Sequence, residues 1–175
     1  MIISVLSCLS WAQADESYLV TKHSAGHRSF HSEIVVAAPP EAVWSVLTDF
    51  DTYPDWSYQF TGMEGRFGDG ERVTVQFERK PGVSDKVNRY DHVLTVVEGE
   101  SFGWSDVFAA GMTDRHVYRV VPRDDGTTLF VQDDEASGGL TWLFGRTVSR
   151  FHQTHYPLFN RALKAEVERR YPRAP

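Results

Sequence analysis

The amino-acid sequence predicts an α+β domain in which a curved antiparallel β-sheet wraps around one long C-terminal α-helix. Three observations support this prediction: apolar and polar side chains alternate with period two through residues 59–137, short turns separate the alternating segments, and residues 139–171 change to a helical period. A sheet with one apolar face needs a cover. The terminal helix is the only long amphipathic segment, so we expect it to lie across the sheet.

Two short helices are predicted after the first strand, which we place at Ser29–Ala37. The first helix spans Pro40–Thr48, because proline suits the opening turn of a helix and Glu41 is favourable near its positive end. Asp51–Trp56 is predicted to form a second helical turn or tight loop, which Pro54 limits.

About six antiparallel strands are predicted to follow. The clearest alternation lies at residues 73–78, 90–96, 102–108, 113–121 and 127–135. Gly99 with Glu100, and the Asp124 to Gly126 segment, are turn sequences between neighbouring strands. Such short connections join antiparallel partners.

The last helix carries an apolar stripe, and we expect this stripe to face the sheet. Its predicted members are Leu140, Leu143, Phe144, Thr147, Phe151, His155, Leu158, Phe159 and Ala162. Pro157 lies inside the helix, where its ring should clash with the carbonyl of Gln153 and cause a kink or a break.

Length and composition limit the function classes. The chain of 175 residues suffices for one compact domain. Its 41% hydrophobic and 24% charged residues are typical of globular proteins, and they exclude disorder, a collagen-like repeat and a polytopic membrane protein. The net charge of −6 argues against a nucleic-acid partner. The 11 Phe, 7 Tyr and 5 Trp residues provide material for a core or an apolar cavity.

Residues 1–14 are predicted to be a signal peptide, followed by a polar lead-in at 15–28 and the domain at 29–172. An uncharged apolar run, Ile2–Trp11, ends in the small-x-small triplet from Ala12 to Ala14. No Lys or Arg precedes this run and the segment is short, so we expect a truncated or misassigned start. The single cysteine, Cys8, lies within it. We therefore expect an exported protein, periplasmic or secreted, without cysteine in its mature form.

The segment Ile34–Trp56, IVVAAPPEAVWSVLTDFDTYPDW, resembles the opening signature of the START-like helix-grip superfamily, also called SRPBCC. Polyketide cyclase/dehydrase and lipid-transport members are the nearest match, and similarity in element order extends over roughly Ser29–Arg170. The resemblance implies the helix-grip fold and an apolar ligand class. It supplies no catalytic motif. Tyr53, Pro54 and Trp56 match the signature and are interpreted as structural.

Polar residues on the inner strand faces are candidates for a ligand site. If Trp104 points inward, Asp106 on the same strand does too. The same alternation places His92 with Tyr90 and His116 with Tyr118, and Leu129 and Val131 predict the face of Asp133 and Glu135. The predicted ligand-binding set is Tyr90, His92, Trp104, Asp106, His116, Tyr118, Asp133, Glu135, Phe151, His155 and Phe159.

Three interpretations of these polar residues remain open. They could form internal ion pairs that fix the helix on the sheet. Alternatively, His116 could be a general base oriented by Asp106 or Glu135. Metal binding is the third, since His152 and His155 are three residues apart and further histidines lie at 23, 27 and 31. A metal site needs three or four convergent ligands, so we predict neither metal nor cofactor.

The resulting function prediction is binding, sequestration or transport of an apolar or amphipathic small molecule in an internal cavity. A lipid, an isoprenoid, a sterol-like molecule or an aromatic polyketide would suit such a space. One alternative is a cyclase, dehydratase or isomerase that uses the cavity Asp, His and Glu residues as acid and base. Another is a protein-interaction module. We predict a hydrophobic small-molecule partner, no nucleic acid and no stable membrane span; the oligomeric state is not predicted.

Overall fold

The computed structural model describes residues 15–80, 84–108 and 111–173. The predicted signal peptide at 1–14 lies outside these residues. The strands are β1 (Glu16–Ser24), β2 (His27–Val36), β3 (Phe60–Gly65), β4 (Arg72–Lys80), β5 (Ser84–Val97), β6 (Ser101–Phe108), β7 (Met112–Pro122) and β8 (Thr128–Ser137). The helices are α1 (Pro40–Leu47), a 3-10 turn (Phe50–Thr52), α2 (Tyr53–Trp56) and α3 (Thr141–Arg170).

The strands form one antiparallel sheet in the order β1-β2-β8-β7-β6-β5-β4-β3. After β2 the chain passes through the short helices to the far edge of the sheet. It then returns strand by strand until β8 pairs with β2. The predicted fold class is therefore confirmed: a curved antiparallel sheet, two short helices after the first predicted strand, and a long C-terminal helix.

The edge strand β1 was not predicted. The sequence indicated a polar lead-in at 15–28, but residues 16–24 pair with β2 in register from Glu16 opposite Ile34 to Ser24 opposite His27. Tyr18 and Val20 are half-buried, while their neighbours along the strand are exposed. An edge strand with one partly covered face has few apolar residues, so its alternation is weak.

Helix α3 packs mainly on β2 and also contacts β8, β1 and α1. It continues through Pro157 without the break that the sequence allowed. The described residues contain no helix that is both long enough and apolar enough to cross a bilayer.

The buried face of α3 differs from the predicted stripe. Its buried side chains are Thr141, Gly145, His152, Tyr156, Phe159, Asn160, Leu163, Glu166 and Val167. Leu143, Phe144 and Phe151 are exposed instead. A Cβ at Gly145 would lie 2.3 Å from Arg28 Nε, so the first turns approach the sheet through a small residue. Small and polar residues, among them Thr141, Gly145 and His152, occupy the first half of this face, and hydrophobic periodicity does not detect them.

An aromatic core fills one end of the space between sheet and helices. It contains Tyr53 from α2, Phe60, Phe102 and Phe130 from the sheet, and Leu163 from α3. Tyr53 is fully buried, and its hydroxyl donates a hydrogen bond of 2.6 Å to the Leu47 carbonyl. The other end of the space is not filled, and the candidate site lies there.

Candidate functional site

A cavity of about 450 Å³ lies between the first half of α3 and the inner face of strands β4 to β8. Its walls combine aromatic side chains with a group of ionisable residues. The lining residues are Tyr58, Gln59, Phe60, Phe77, Glu78, Asn88, Tyr90, His92, Trp104, Asp106, Asp114, His116, Tyr118, Gln132, Asp134, Ala136, Thr147, Val148, Phe151, His152, His155, Tyr156 and Phe159.

Nine of the eleven predicted ligand-binding residues line this cavity. They are Tyr90, His92, Trp104, Asp106, His116, Tyr118, Phe151, His155 and Phe159. Inward alternation on β5, β6 and β7 thus places side chains as the sequence suggested. Contact with a ligand remains a prediction for each of them.

Asp133 and Glu135 do not face the cavity, and the predicted orientation of β8 is wrong. Asp133 Oδ1 lies 2.7 Å from His31 Nδ1, and Glu135 Oε1 lies 2.7 Å from His27 Nε2, both on the outer face. Strand β8 carries apolar residues on both faces. Val131 on the outer face is nearly as buried as its inward-facing neighbours. The sequence pattern therefore did not decide which set of alternate residues faces inward. A shift of one residue moves every side chain to the other face of the sheet.

Several polar residues of the cavity lining were not predicted from the sequence. Gln132 and Asp134 of β8 line the cavity, as do Asp114 of β7 and Tyr156 of α3. A signal for Asp114 was present: it lies two residues before His116, on the face already predicted to point inward. Asp134 could have been found from its position opposite His116 in the β7–β8 pairing.

A buried polar cluster forms where β7, β8 and α3 meet. The Tyr156 hydroxyl donates a hydrogen bond to Asp134 Oδ2 and lies 3.1 Å from His116 Nδ1. Because Tyr156 has a single proton and gives it to Asp134, His116 must donate from Nδ1 to the tyrosine oxygen. His116 Nε2 then carries a lone pair, and this atom is buried without a partner among the described residues.

His152 and a second carboxyl complete the cluster. His152 Nε2 lies 3.7 Å from Asp134 Oδ2, and the His152 ring stacks on Tyr156 with centroids 4.6 Å apart. Asp114 and Asp134 are hydrogen-bonded through their carboxyl groups, which requires a proton on one of them.

Burial sets the protonation of this cluster, because a charged form loses its hydration there. It lowers the pKa of His116 and of His152 to about 4, so both rings are neutral at pH 7. Burial, followed by the charge of Asp134, raises the pKa of Asp114 to about 7. The pKa of Asp134 is also raised by burial, which the nearby His152 and the Tyr156 hydrogen bond oppose. Near neutral pH, the Asp114–Asp134 pair therefore shares one proton.

A stacked row of rings forms the wall beside the cluster. Trp104 lies between His92 and His116, with ring centroids 4.9 and 5.1 Å away and planes inclined by 21° on each side. His92 Nδ1 is paired with Asp106. Asp106 therefore pairs with His92 and does not orient His116. Glu135 cannot orient His116 either, because it lies on the opposite face of the sheet. Tyr156 and Asp134 take the orienting position that the sequence assigned to Asp106 or Glu135.

Within the residues that the structure describes, no three His, Cys, Asp or Glu side chains are grouped closely enough to hold a metal ion. The arrangement has two chemical capacities. An apolar molecule can replace water along the aromatic walls while its polar end meets the cluster. Proton transfer is the other, since a carboxyl pair that shares a proton and an imidazole lone pair belong to residues that line the same cavity.

Comparison with solved structures shows where this fold recurs. An aromatase/cyclase from Streptomyces (Zhui) is 19% identical with a TM-score of 0.64, covering 82% of this chain and 95% of its own. A START superfamily protein from Mycobacterium smegmatis is 21% identical with a TM-score of 0.62, covering 82% and 99%. A point mutant of norcoclaurine synthase from Thalictrum flavum, in complex with a transition state analogue, is 16% identical with a TM-score of 0.60, covering 88% and 98%.

At these identities the likeness shows a shared fold. A search of curated protein sequences finds no match. The sequence profile described as polyketide cyclase / dehydrase and lipid transport matches residues 27–168, from β2 almost to the end of α3. The resemblance seen at Ile34–Trp56 is thus confirmed, and the chain belongs to the polyketide cyclase/dehydrase and lipid transport family.

Proposed function

We propose that this protein binds an apolar or amphipathic small molecule in the cavity beneath α3, for sequestration or transport. The observation that carries the proposal is the open space of about 450 Å³ beside an otherwise filled aromatic core. This volume lies in the range of small-molecule sites, which are mostly apolar with a few polar groups that fix the ligand.

The walls provide the driving force. Trp104, Tyr118 and Phe159 are buried side chains that also face the cavity. Removal of about 200 Å² of apolar ligand surface from water contributes about 5 kcal/mol. A lipid, isoprenoid, sterol-like or aromatic polyketide ligand suits such walls. A protein-interaction module would favour a filled interior, so we do not propose one.

Native mass spectrometry of the purified protein tests the proposal, because it reports occupancy and ligand mass together. We expect a bound molecule that is released by denaturation. The substitution Thr147→Trp should abolish binding, since Thr147 lines the cavity from α3. Gln153→Trp is the matched control, because Gln153 is exposed on the same helix and is not part of the lining. Equal occupancy in both variants would place the ligand elsewhere.

Acid–base catalysis is the second candidate function, and the Asp114–His116 pair favours it. The pKa of Asp114 is raised to about 7 and that of His116 is lowered to about 4, so an acid and a base face one cavity near neutral pH. A cyclase, dehydratase or isomerase would use such a pair. Turnover predicts that an extracted ligand is converted on incubation with fresh protein, and that Asp114→Asn or His116→Gln stops the conversion while binding persists.

We also propose that residues 1–14 direct export to the periplasm or the medium. The uncharged run before Ala14 supports this proposal. N-terminal sequencing of the protein recovered outside the cytoplasm should begin at Asp15. Recovery of the chain with residues 1–14 attached would contradict cleavage.

A further inference from the structure

The charged side chains that line the cavity are all acidic. They are Glu78, Asp106, Asp114 and Asp134, and among the side chains that the structure describes the lining contains neither Lys nor Arg. The histidines of the cluster add little positive charge to offset these carboxylates. Burial lowers the pKa of His116 and His152 to about 4, and it also lowers that of His155. A ligand that reaches the cluster therefore meets neutral or negative groups.

One buried acceptor of the cluster has no donor among the described residues, and a second has room for a further hydrogen bond. One is His116 Nε2, which keeps its lone pair because Nδ1 donates to Tyr156. The other is Asp134 Oδ1. A carboxylate oxygen can accept two hydrogen bonds, so this atom has capacity beyond the proton that Asp114 provides. Both side chains line the cavity and are almost fully buried.

Buried acceptors are costly when left without a donor, because they have lost their hydrogen bonds to water. A bound molecule that brings an O–H or N–H group removes this cost. A molecule that brings a carboxylate or phosphate adds a negative charge beside Asp134, and the described lining residues offer no Lys or Arg to pair with it.

We propose that the cavity selects ligands whose polar end is a hydrogen-bond donor without negative charge, a hydroxyl or a protonated amine, and that it rejects ligands ending in a carboxylate or phosphate. This inference rests on the proposed binding function and narrows its ligand class. It separates alcohols and amines from free fatty acids, which have equally apolar tails.

Three ligands that differ only in the polar end test the inference: 1-decanol, decylamine and decanoate. Each competes with the uncharged fluorescent probe N-phenyl-1-naphthylamine for the protein at pH 7.5. We expect decanol and decylamine to displace the probe at concentrations about tenfold or more below that of decanoate. If decylamine binds more tightly than decanol, the positive charge of the ligand contributes to selection. If the two bind equally, the hydrogen-bond donor alone accounts for it. Both results support the inference.

Decanoate that binds as well as or better than the other two would overturn it. This failure is distinct from failure of the proposed function. In that case the probe itself does not bind, and neither do any of the three ligands.

Asp134→Asn gives a second measurement. It removes the buried negative charge at constant size, so decylamine should lose about tenfold in affinity while decanoate gains. Asp133→Asn is the matched control, because Asp133 is the next residue of β8 and lies on the outer face with His31. If Asp134→Asn does not fold, Asp114→Asn replaces it, with a smaller loss for decylamine. An unchanged ligand order in the folded variant would contradict the role of the cluster.

Discussion

Tyr156 of α3 and Asp134 of β8 form a hydrogen bond inside the domain, with the tyrosine hydroxyl as donor to Asp134 Oδ2. Both residues are buried, at 8% and 3% exposure. The bond joins the helix to the sheet, and it also fixes the tautomer of His116, whose Nδ1 lies 3.1 Å from the same hydroxyl. The hydroxyl oxygen of Tyr156 therefore contributes both to the stability of the fold and to the chemistry of the site.

Tyr156→Phe should destabilise the protein by about 1–3 kcal/mol, because Asp134 and His116 each lose a buried partner. Urea unfolding followed by circular dichroism measures the change in free energy. Tyr90→Phe is the control at the cavity mouth, where the side chain is 45% exposed, and it should change the free energy by less than about 0.5 kcal/mol. Equal stability of the two variants would show that the hydroxyl of Tyr156 contributes nothing.

Gly103→Ala should be among the most harmful single substitutions in the sheet. A Cβ at Gly103 would lie 2.1 Å from the backbone oxygen of His116 and 2.9 Å from Val117 Cα, so β6 and β7 would have to separate. A glycine within a strand often marks such a close approach of two backbones. We expect a loss of about 3 kcal/mol or more in the free energy of unfolding.

The matched control for this substitution is Gly26→Ala, because a Cβ at Gly26 would have no atom within 4 Å and its φ is not positive. Its effect should stay within about 0.5 kcal/mol. A mild effect of Gly103→Ala in the same unfolding experiment would mean that β6 and β7 are farther apart than the structure indicates.

Regular periodicity is the reason why most of the fold could be predicted from the sequence. Helix α1 begins at Pro40 as predicted, and the turn at Asp124 to Gly126 separates β7 from β8. The inner face of β7 was also predicted, because His116, Tyr118 and Val120 alternate with residues that are more exposed. On β7, these inward residues are more deeply buried than those that alternate with them.

The errors occur where apolar residues occupy both faces or where packing depends on small residues. On β8, the pair Leu129 and Val131 indicated the wrong face, and this error hid Asp134. On α3, the buried face includes Gly145, which approaches Arg28, whereas Leu143 and Phe144 of the predicted apolar stripe are exposed. Both facts depend on contacts between distant segments, which a pattern along one segment does not contain.

The free energy of unfolding should depend on pH in a way that reveals the buried, neutral histidines. The pKa of His152 is about 4 in the folded protein against 6.5 in the unfolded chain, so its neutral form favours folding. Its contribution is complete above pH 6.5 and is lost as the pH falls toward 4. His116 acts in the same direction, whereas Asp114 acts oppositely, because its pKa is raised to about 7 and its protonated form favours folding.

His152→Phe keeps an aromatic ring against Tyr156 and removes one of these titrations. Between pH 6.5 and 4, the free energy of unfolding should fall less steeply with decreasing pH in this variant than in the original protein. Urea unfolding at pH 7, 5.5 and 4 measures both slopes. His23→Phe is the control, because His23 is exposed on β1 and lies outside the cavity lining. If His152→Phe and the original protein had the same slope, His152 would not be buried in its neutral form.

Arg170 connects the end of α3 to the loop after α1, and its removal should loosen the end of the domain opposite the cavity. Its guanidinium donates to Asp49 Oδ2 at 2.7 Å, to Thr52 Oγ1 at 2.8 Å and to Glu166 Oε1 at 2.6 Å. Arg170→Ala should cost about 1–3 kcal/mol in the free energy of unfolding, because Asp49 and Thr52 lose a charged donor.

Arg169→Ala distinguishes this connection from a general loss of charge. Arg169 is the preceding residue and also bonds Glu166, but its side chain is 69% exposed and forms only a local helical pair. Such exposed pairs contribute about 0.5 kcal/mol or less. Ligand binding should persist in both variants, since neither arginine lines the cavity. Equal destabilisation by the two substitutions, measured by thermal and urea unfolding, would contradict the view that α3 is fixed through Asp49.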